Sequence, residues 1–330
     1  MARTGLLALV GSESLVGREI RDLLAGNTLG QDLKLIAALG EEPGKLTEQG
    51  GEPAILAPFE EISLEGADVI FLAGSADSAE RARQLAPQAR LIDLTHALED
   101  APHARLRAPM IEPPGYTVSA KSVHVIANTA AIALAVVLAR LHARQTIKRA
   151  LAHVFEPASE HGAGGVEELQ QQTIGLLSFK DQPKAIFDAQ IAFNMLARYG
   201  DEAPVPLEES ELRIERHLAT LLASAGQPPM PSLRLVQAPV FHGYGISLWV
   251  EFESKPGVAA IEQTLEDESI DVRIAGMEPP NVVGMAGQSG LAVGGITLDR
   301  NNPQAAWLWI VADNLRLQAE NAIAVAQELL

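Results

Sequence analysis

Short, uninterrupted apolar runs alternate with helically spaced ones along the first third of the chain. Residues 6–10 form such a run and end at Gly11; residues 14–25 carry Leu15, Ile20, Leu23 and Leu24 on one helical face. Residues 33–39 and 67–73 predict two more strands, and residues 78–86 predict a helix. Residues 91–94 and 123–126 complete the set of buried strands. Strands that are apolar on both faces and separated by helices predict a parallel sheet covered on both sides.

The texture changes after about Ala130. Residues 129–142 are nearly all apolar, which predicts a helix buried on every side. Residues 147–155, 234–240, 246–252, 293–298 and 306–311 predict long strands. Helices are expected at 166–177, opened by the glycine loop 162–165, and at 208–223, about 257–266 and 313–330. Strands and helices that do not strictly alternate predict a mixed α+β domain. The fold class is therefore α/β, with a parallel-sheet domain (1–128 and 312–330) and a mixed α+β domain (129–311).

The 330 residues carry a formal net charge of −17 and include no cysteine. The acidic balance disfavours binding to nucleic acid or anionic membranes. The missing thiol excludes disulfides, thiolate metal sites and thiol nucleophiles. The first ten residues run into a glycine turn and read as a strand, not a signal peptide. No apolar run approaches the roughly 20 residues that span a bilayer. A cytoplasmic protein with no membrane contact is expected.

Gly11-Ser12-Glu13-Ser14-Leu15-Val16-Gly17 follows a strand and opens a helix, a context in which backbone N–H groups face phosphate. Ser14 replaces the middle glycine of the dinucleotide fingerprint, so spacing alone divides evenly between a cofactor turn and an ordinary strand–turn–helix. His96, His124, His153, His161 and His242 lie in segments expected near a cleft, but none has metal-ligand spacing, and no metal is expected. Trp307 and Trp309 alternate on a predicted strand, as core or interface residues do. The acidic run Glu208–Glu211 reads as a solvated helix start favoured by the helix dipole.

Several blocks, in order, resemble the aspartate-semialdehyde dehydrogenase family. They are the turn Gly11–Gly17, Ala73-Gly74-Ser75-Ala-Asp-Ser78, Gly162-Ala-Gly164, Ile191-Ala-Phe-Asn194, Pro239-Val-Phe-His-Gly-Tyr244 and Trp307–Asn321. The chain most resembles the Usg-type paralogues, which keep the body of the enzyme and lose active-site residues. The resemblance implies a Rossmann-like domain, a substrate and dimerisation domain, a homodimer, and NAD or NADP as cofactor. It implies cofactor contacts from Gly11, Ser12, Glu13, Ser14, Leu15, Val16, Ala73, Gly74, Ser75, Gly162 and Asn314.

The family uses a cysteine thiolate, an acid/base histidine and two arginines that hold substrate. By the resemblance, the cysteine position is Thr129, which follows Asn128, and the histidine position is Tyr244. A threonine hydroxyl needs a strong adjacent base, and a tyrosine with a pKa near ~10 is a poor one. The two arginine positions become Gln237 and Glu99, which supply no charged fork to a carboxylate or phosphate. Glu208 keeps an acidic substrate-site residue, whereas Glu211 stands for a lysine; the family's glutamine falls loosely near Ala158. Glu41-Glu42 replace residues that would hold a ribose 2′-phosphate, so NAD is preferred over NADP. The expected function is an impaired or inactive dimeric nucleotide-binding paralogue. The alternatives are an oxidoreductase acting on another aldehyde or keto acid without a covalent intermediate, with Tyr244 or a nearby histidine as acid, and an interaction protein that kept only the dimer.

Overall fold

The computed structural model describes residues 5–25, 27, 29, 32–113, 115–117, 119 and 122–330. The chain divides into two compact units, residues 1–127 with 318–330, and residues 128–317.

The first unit is built on β1 (Leu7–Val10), α1 (Leu15–Leu24), β2 (Leu33–Ile36), β3 (Leu46–Gln49), β4 (Glu52–Ile55), α2 (Glu61–Leu64), β5 (Val69–Leu72), α3 (Ala76–Leu85), β6 (Arg90–Asp93), β7 (Ala104–Arg107) and β8 (Val123–Ile126). Six strands form one wholly parallel sheet in the order β2-β1-β5-β6-β8-β7. Leu7, Leu9 and Phe71 enter one core, and Ala8, Val10 and Ile70 enter another. Alternate residues of one strand thus face opposite cores, and a sheet buried on both faces reads as continuous apolar runs.

Several elements of this unit depart from the expected pattern. Strands β3 and β4 pair as an antiparallel hairpin, Leu46 opposite Ile55, outside the parallel sheet. Their two-residue loop, Gly50-Gly51, has φ of 58° and 87°, the left-handed pair that a tight hairpin demands and glycine supplies. Strand β7 reads Ala-Arg-Leu-Arg, too polar to be expected as a strand, and lies at the sheet edge. Its Arg107 is nevertheless buried, bonded to Glu112 at 2.8 Å, to Glu328, and to His124 at 3.1 Å. The predicted second strand stops at Ile36, and the following turn is capped by Glu41, whose carboxylate accepts the Ala38 N–H at 2.8 Å.

The second unit contains α4 (Thr129–Arg144), β9 (Ile147–Glu156), α5 (Gly162–Leu177), α6 (Leu207–Ser224), β10 (Ser232–Gln237), β11 (Tyr244–Phe252), α7 (Val258–Leu265), β12 (Ile270–Val272), α8 (Val282–Met285), β13 (Leu291–Leu298) and β14 (Ala305–Ala312). Its six-stranded mixed sheet runs β10-β9-β11-β14-β13-β12. Helix α4 is buried without interruption from Thr129 to Leu138, as its apolar composition requires. Helix α9 (Asn314–Leu329) starts here, and its residues from Gln318 onward belong to the first unit.

The sequence places a glycine loop ahead of α5, but the helix already begins at Gly162, so the glycines form its first turn. Gly165 explains this: a side chain there would meet the Ala158 carbonyl oxygen at 2.3 Å, so the turn packs directly on the preceding backbone. Trp307 donates its indole N–H to Asp299 at 2.9 Å and stands across the sheet from Trp249, which donates to the same carboxylate at 2.8 Å.

Candidate functional site

Strand register assembles the polar centre of the second unit. Because β10 runs parallel to β9, Gln237 lies beside Glu156 at the strand ends. Because β11 runs antiparallel to β9 with Gly245 opposite Phe155, the preceding Tyr244 reaches the same carboxylate. Tyr244 also pairs with Ala312, the last residue of β14, which brings Asn314 to this end of the sheet.

Glu156 is 1% exposed and sits at the middle of the cluster. The Tyr244 hydroxyl donates to one of its oxygens at 3.3 Å, and the Tyr199 hydroxyl lies 3.2 Å from the other. His161 Nε2 lies 3.3 Å from Glu156 and 2.9 Å from the Tyr199 oxygen. Gln237 is fully engaged: its amide N–H groups donate to the carbonyls of Glu156 and Ala238, at 3.0 and 2.8 Å, and its oxygen accepts from Tyr199 at 2.6 Å. Burial, with Glu160 and Glu156 nearby, raises the Tyr244 phenol well above its ordinary range, and burial with Glu156 does the same to Tyr199.

A second carboxyl completes the cluster. Glu160 accepts from the Asn314 amide at 2.8 Å and from Asn128 at 3.5 Å. Burial, together with the neighbouring Glu156 carboxylate, pushes it up to about 7. Asn314 is 2% exposed; its oxygen also accepts the Gly243 N–H at 2.9 Å and the Ser159 hydroxyl at 3.1 Å. Asn128 caps α4 by accepting the Ala130 N–H, and its own N–H donates to His217 Nδ1 at 3.0 Å. Thr129, 3% exposed, donates its hydroxyl to the Asn314 carbonyl at 2.9 Å.

The second unit therefore brings together Asn128, Thr129, Gln237, Tyr244 and Asn314 from the expected set, with Gly162 one residue past His161. Glu208 is exposed in the first turn of α6 and lines a cavity of about 440 Å³ with Tyr199, Glu211 and Arg234. Glu211 is more than a solvated helix start, because its carboxylate accepts the Leu235 N–H at 2.6 Å and ties α6 to β10. Of the five flagged histidines, His161 is the one bonded into the network; His124 is instead bonded to Arg107. Glu156, Glu160, Tyr199 and His217 were not anticipated, since they belong to no contiguous motif. Among the described residues no group of three or more His, Asp or Glu side chains could hold a metal ion.

In the first unit, the turns after β1 and β5 meet backbone to backbone. Gly11 has φ of 84°, and a side chain on it would lie 2.3 Å from the Gly74 nitrogen. Ser14 caps α1 by accepting the Gly17 N–H at 2.9 Å, so its side chain folds onto the helix. Ser75 caps α3 in the same way, at 3.2 Å from the Ser78 nitrogen. The Ser12 hydroxyl is buried and has no hydrogen-bond partner among the described residues. Glu13 is held by Arg21 at 2.7 Å, Thr47 at 2.9 Å and Lys45 at 3.0 Å. Glu99 follows a turn in which the buried Asp93 accepts from Thr95 and Leu98.

Residues 138–317 match the model of the semialdehyde dehydrogenase dimerisation domain, more than half of the chain. The aspartate-semialdehyde dehydrogenase of Rickettsia bellii is 28% identical, over 98% of this chain and 97% of its own length. A USG-1 protein homolog of Pseudomonas aeruginosa is also 28% identical, over 98% of this chain and 97% of its own length. The solved structure of a probable aspartate-semialdehyde dehydrogenase from Pseudomonas aeruginosa superposes with a TM-score of 0.81 at 27% identity, covering 99% of this chain and 98% of that one. With two layered units, the mixed sheet of the dimerisation domain and this agreement along the whole chain, the protein belongs to the semialdehyde dehydrogenase family.

Proposed function

We propose that this protein is a homodimeric, nucleotide-binding paralogue of the semialdehyde dehydrogenases that no longer performs their covalent reaction. The observation that carries this reading is Thr129. It stands at the family's nucleophile position in a chain without cysteine, and its hydroxyl is already donated to the Asn314 carbonyl at 2.9 Å. A hydroxyl becomes a nucleophile through an adjacent base, and the bond to a carbonyl acceptor offers none. Tyr244, at the histidine position, donates into Glu156, and Gln237, at one arginine position, spends its amide within the protein. Neither is available to accept a proton or to grip a substrate carboxylate.

The turn that joins Gly11 to Gly74 supports the nucleotide half of the reading. A backbone too close for side chains, with a buried and unpartnered Ser12 hydroxyl, fits the diphosphate of a dinucleotide. The backbones of Gly11, Ser12, Glu13, Ser14, Leu15, Val16, Ala73, Gly74 and Ser75 would hold it, and Glu41 and Glu42 favour NAD over NADP. The matched dimerisation domain supports a homodimer.

One observation favours a second reading, an oxidoreductase that reduces an aldehyde or keto acid without a covalent intermediate. A bound nicotinamide supplies hydride; the chain must supply a proton. Glu160, held up to about 7 and only partly buried, suits that task better than Tyr244, whose phenol is raised and internally bonded.

Calorimetric titration of the purified dimer with oxidised and reduced NAD and NADP tests the proposal. Micromolar binding of NAD or NADH, with weaker binding of the NADP pair, is expected. Absence of heat at millimolar ligand overturns the nucleotide reading.

A further inference from the structure

The side chain of Glu13 leaves the helix-opening turn and enters a pocket of cations. One carboxylate oxygen accepts from Arg21 at 2.7 Å and Thr47 at 2.9 Å. The other accepts from Lys45 at 3.0 Å, and Arg18 lies 3.6 Å away. Arg21 projects from α1, and Lys45 and Thr47 come from the start of the β3–β4 hairpin. The Arg21 and Glu13 side chains are 10% and 12% exposed, whereas Lys45 and Arg18 are about half exposed at the rim. Arg21 also donates to the carbonyls of Ser12 and Glu48, yet its buried Nε–H finds no partner among the described residues.

Three cations and a hydroxyl converging beside a nucleotide turn make a receptor for a phosphate dianion. Here the receptor is filled from within. Burial alone would raise the Glu13 carboxyl, but Lys45, Thr47 and Arg21 outweigh it and hold the group down to about 2, so it is anionic throughout the neutral range. A ligand phosphate approaching this pocket meets a fixed negative charge and cations already neutralised.

We propose that Glu13 is a built-in anion that occupies this pocket and restricts the turn to nucleotides whose ribose carries no 2′-phosphate. The inference rests on the nucleotide-binding reading above and adds the residue that sets ribose selectivity. It assigns that role to Glu13 ahead of Glu41, whose carboxylate is engaged with the Ala38 N–H.

The test is calorimetry with adenosine 2′-monophosphate and adenosine 5′-monophosphate on the full-length protein, Glu13→Gln, Glu13→Thr and Glu13→Gln/Lys45→Gln. A circular-dichroism melt checks that each variant is folded, and Glu13→Thr serves if the glutamine does not fit. Removing the internal carboxylate should raise affinity for the 2′-phosphate by about tenfold or more, the scale of one charge-assisted hydrogen bond. The gain for the 2′-phosphate should exceed any change for the 5′-phosphate by about tenfold, and the second substitution should remove it. The inference is overturned if the unaltered protein already prefers the 2′-phosphate, or if neither single variant gains affinity for it. A gain in the variants while no dinucleotide binds any of them would leave the inference standing and sink the broader reading. Dinucleotide binding without any gain would do the reverse.

Discussion

Thr129 donates its hydroxyl to the main-chain carbonyl of Asn314 at 2.9 Å. The residue proposed to stand at the family's nucleophile position thus serves the start of α9. Replacing Thr129 with Val should remove one buried hydrogen bond and cost about 1–2 kcal/mol, read from a denaturant melt. Replacing it with Cys restores a sulfur but neither a proton acceptor nor an arginine. Thr129→Cys is therefore expected to show no phosphate-dependent semialdehyde oxidation above the unaltered protein; turnover by that single variant would mean the surrounding network is still competent.

Gly11 and Gly74 form one contact surface. A side chain on Gly74 would lie 2.6 Å from the Ala38 Cβ, and one on Gly11 would strike the Gly74 backbone while forcing a left-handed φ on alanine. Gly74→Ala should destabilise the first unit by about 1–3 kcal/mol. Gly11→Ala should do at least as much and weaken nucleotide binding about tenfold or more. Thermal melts with and without NAD separate the two effects.

Glu160 predicts a pH dependence with a definite sign. Its folded-state pKa of about 7 lies above the ordinary value of 4.5, because burial and the Glu156 carboxylate disfavour its ionised form. Its contribution is thus fully favourable below about 4.5 and is lost as pH rises through about 7. Glu160→Gln should abolish that part of the stability–pH slope, leaving the variant relatively more stable above neutrality by on the order of 2 kcal/mol. Glu13 works in the opposite sense: its folded pKa is lowered, so its contribution holds above 4.5 and fades as pH falls toward 2. Denaturant melts across pH check both slopes.

The resemblance reads Gln237 at an arginine position, but its role in the fold is not legible in the sequence. It bonds to two carbonyls and to the Tyr199 hydroxyl from a fully buried position. Gln237→Leu should cost about 2–4 kcal/mol, because those partners stay buried without it. A melt unchanged from the parent would show that solvent replaces them.

The parallel sheet was readable because β1 and β5 are apolar runs that need no partner chemistry to be recognised. The hairpin β3–β4 had a signal, Gly50-Gly51 between pairing segments, but its Leu46 and Ile55 remain 69% and 67% exposed, so no core face announced it. Strand β7 was hidden by its arginines, one of which is buried only because Glu112 and Glu328 meet it. The candidate site divided along similar lines. Tyr244 stands in a recognisable block, and Thr129 and Gln237 are reached by position from the resemblance. Glu156, Glu160, Tyr199 and His217 are joined by strand register and helix packing across long separations, which no local pattern encodes.

The absence of thiol-type chemistry is tested most directly by a single-turnover experiment. Purified protein, stoichiometric with aspartate semialdehyde, is mixed with oxidised NAD or NADP in the absence of phosphate, while reduced nicotinamide is followed by absorbance and the quenched protein by intact mass. No burst and no acyl adduct on the chain are expected. A burst approaching one equivalent per protomer, with a matching adduct that maps to Thr129, would contradict the account.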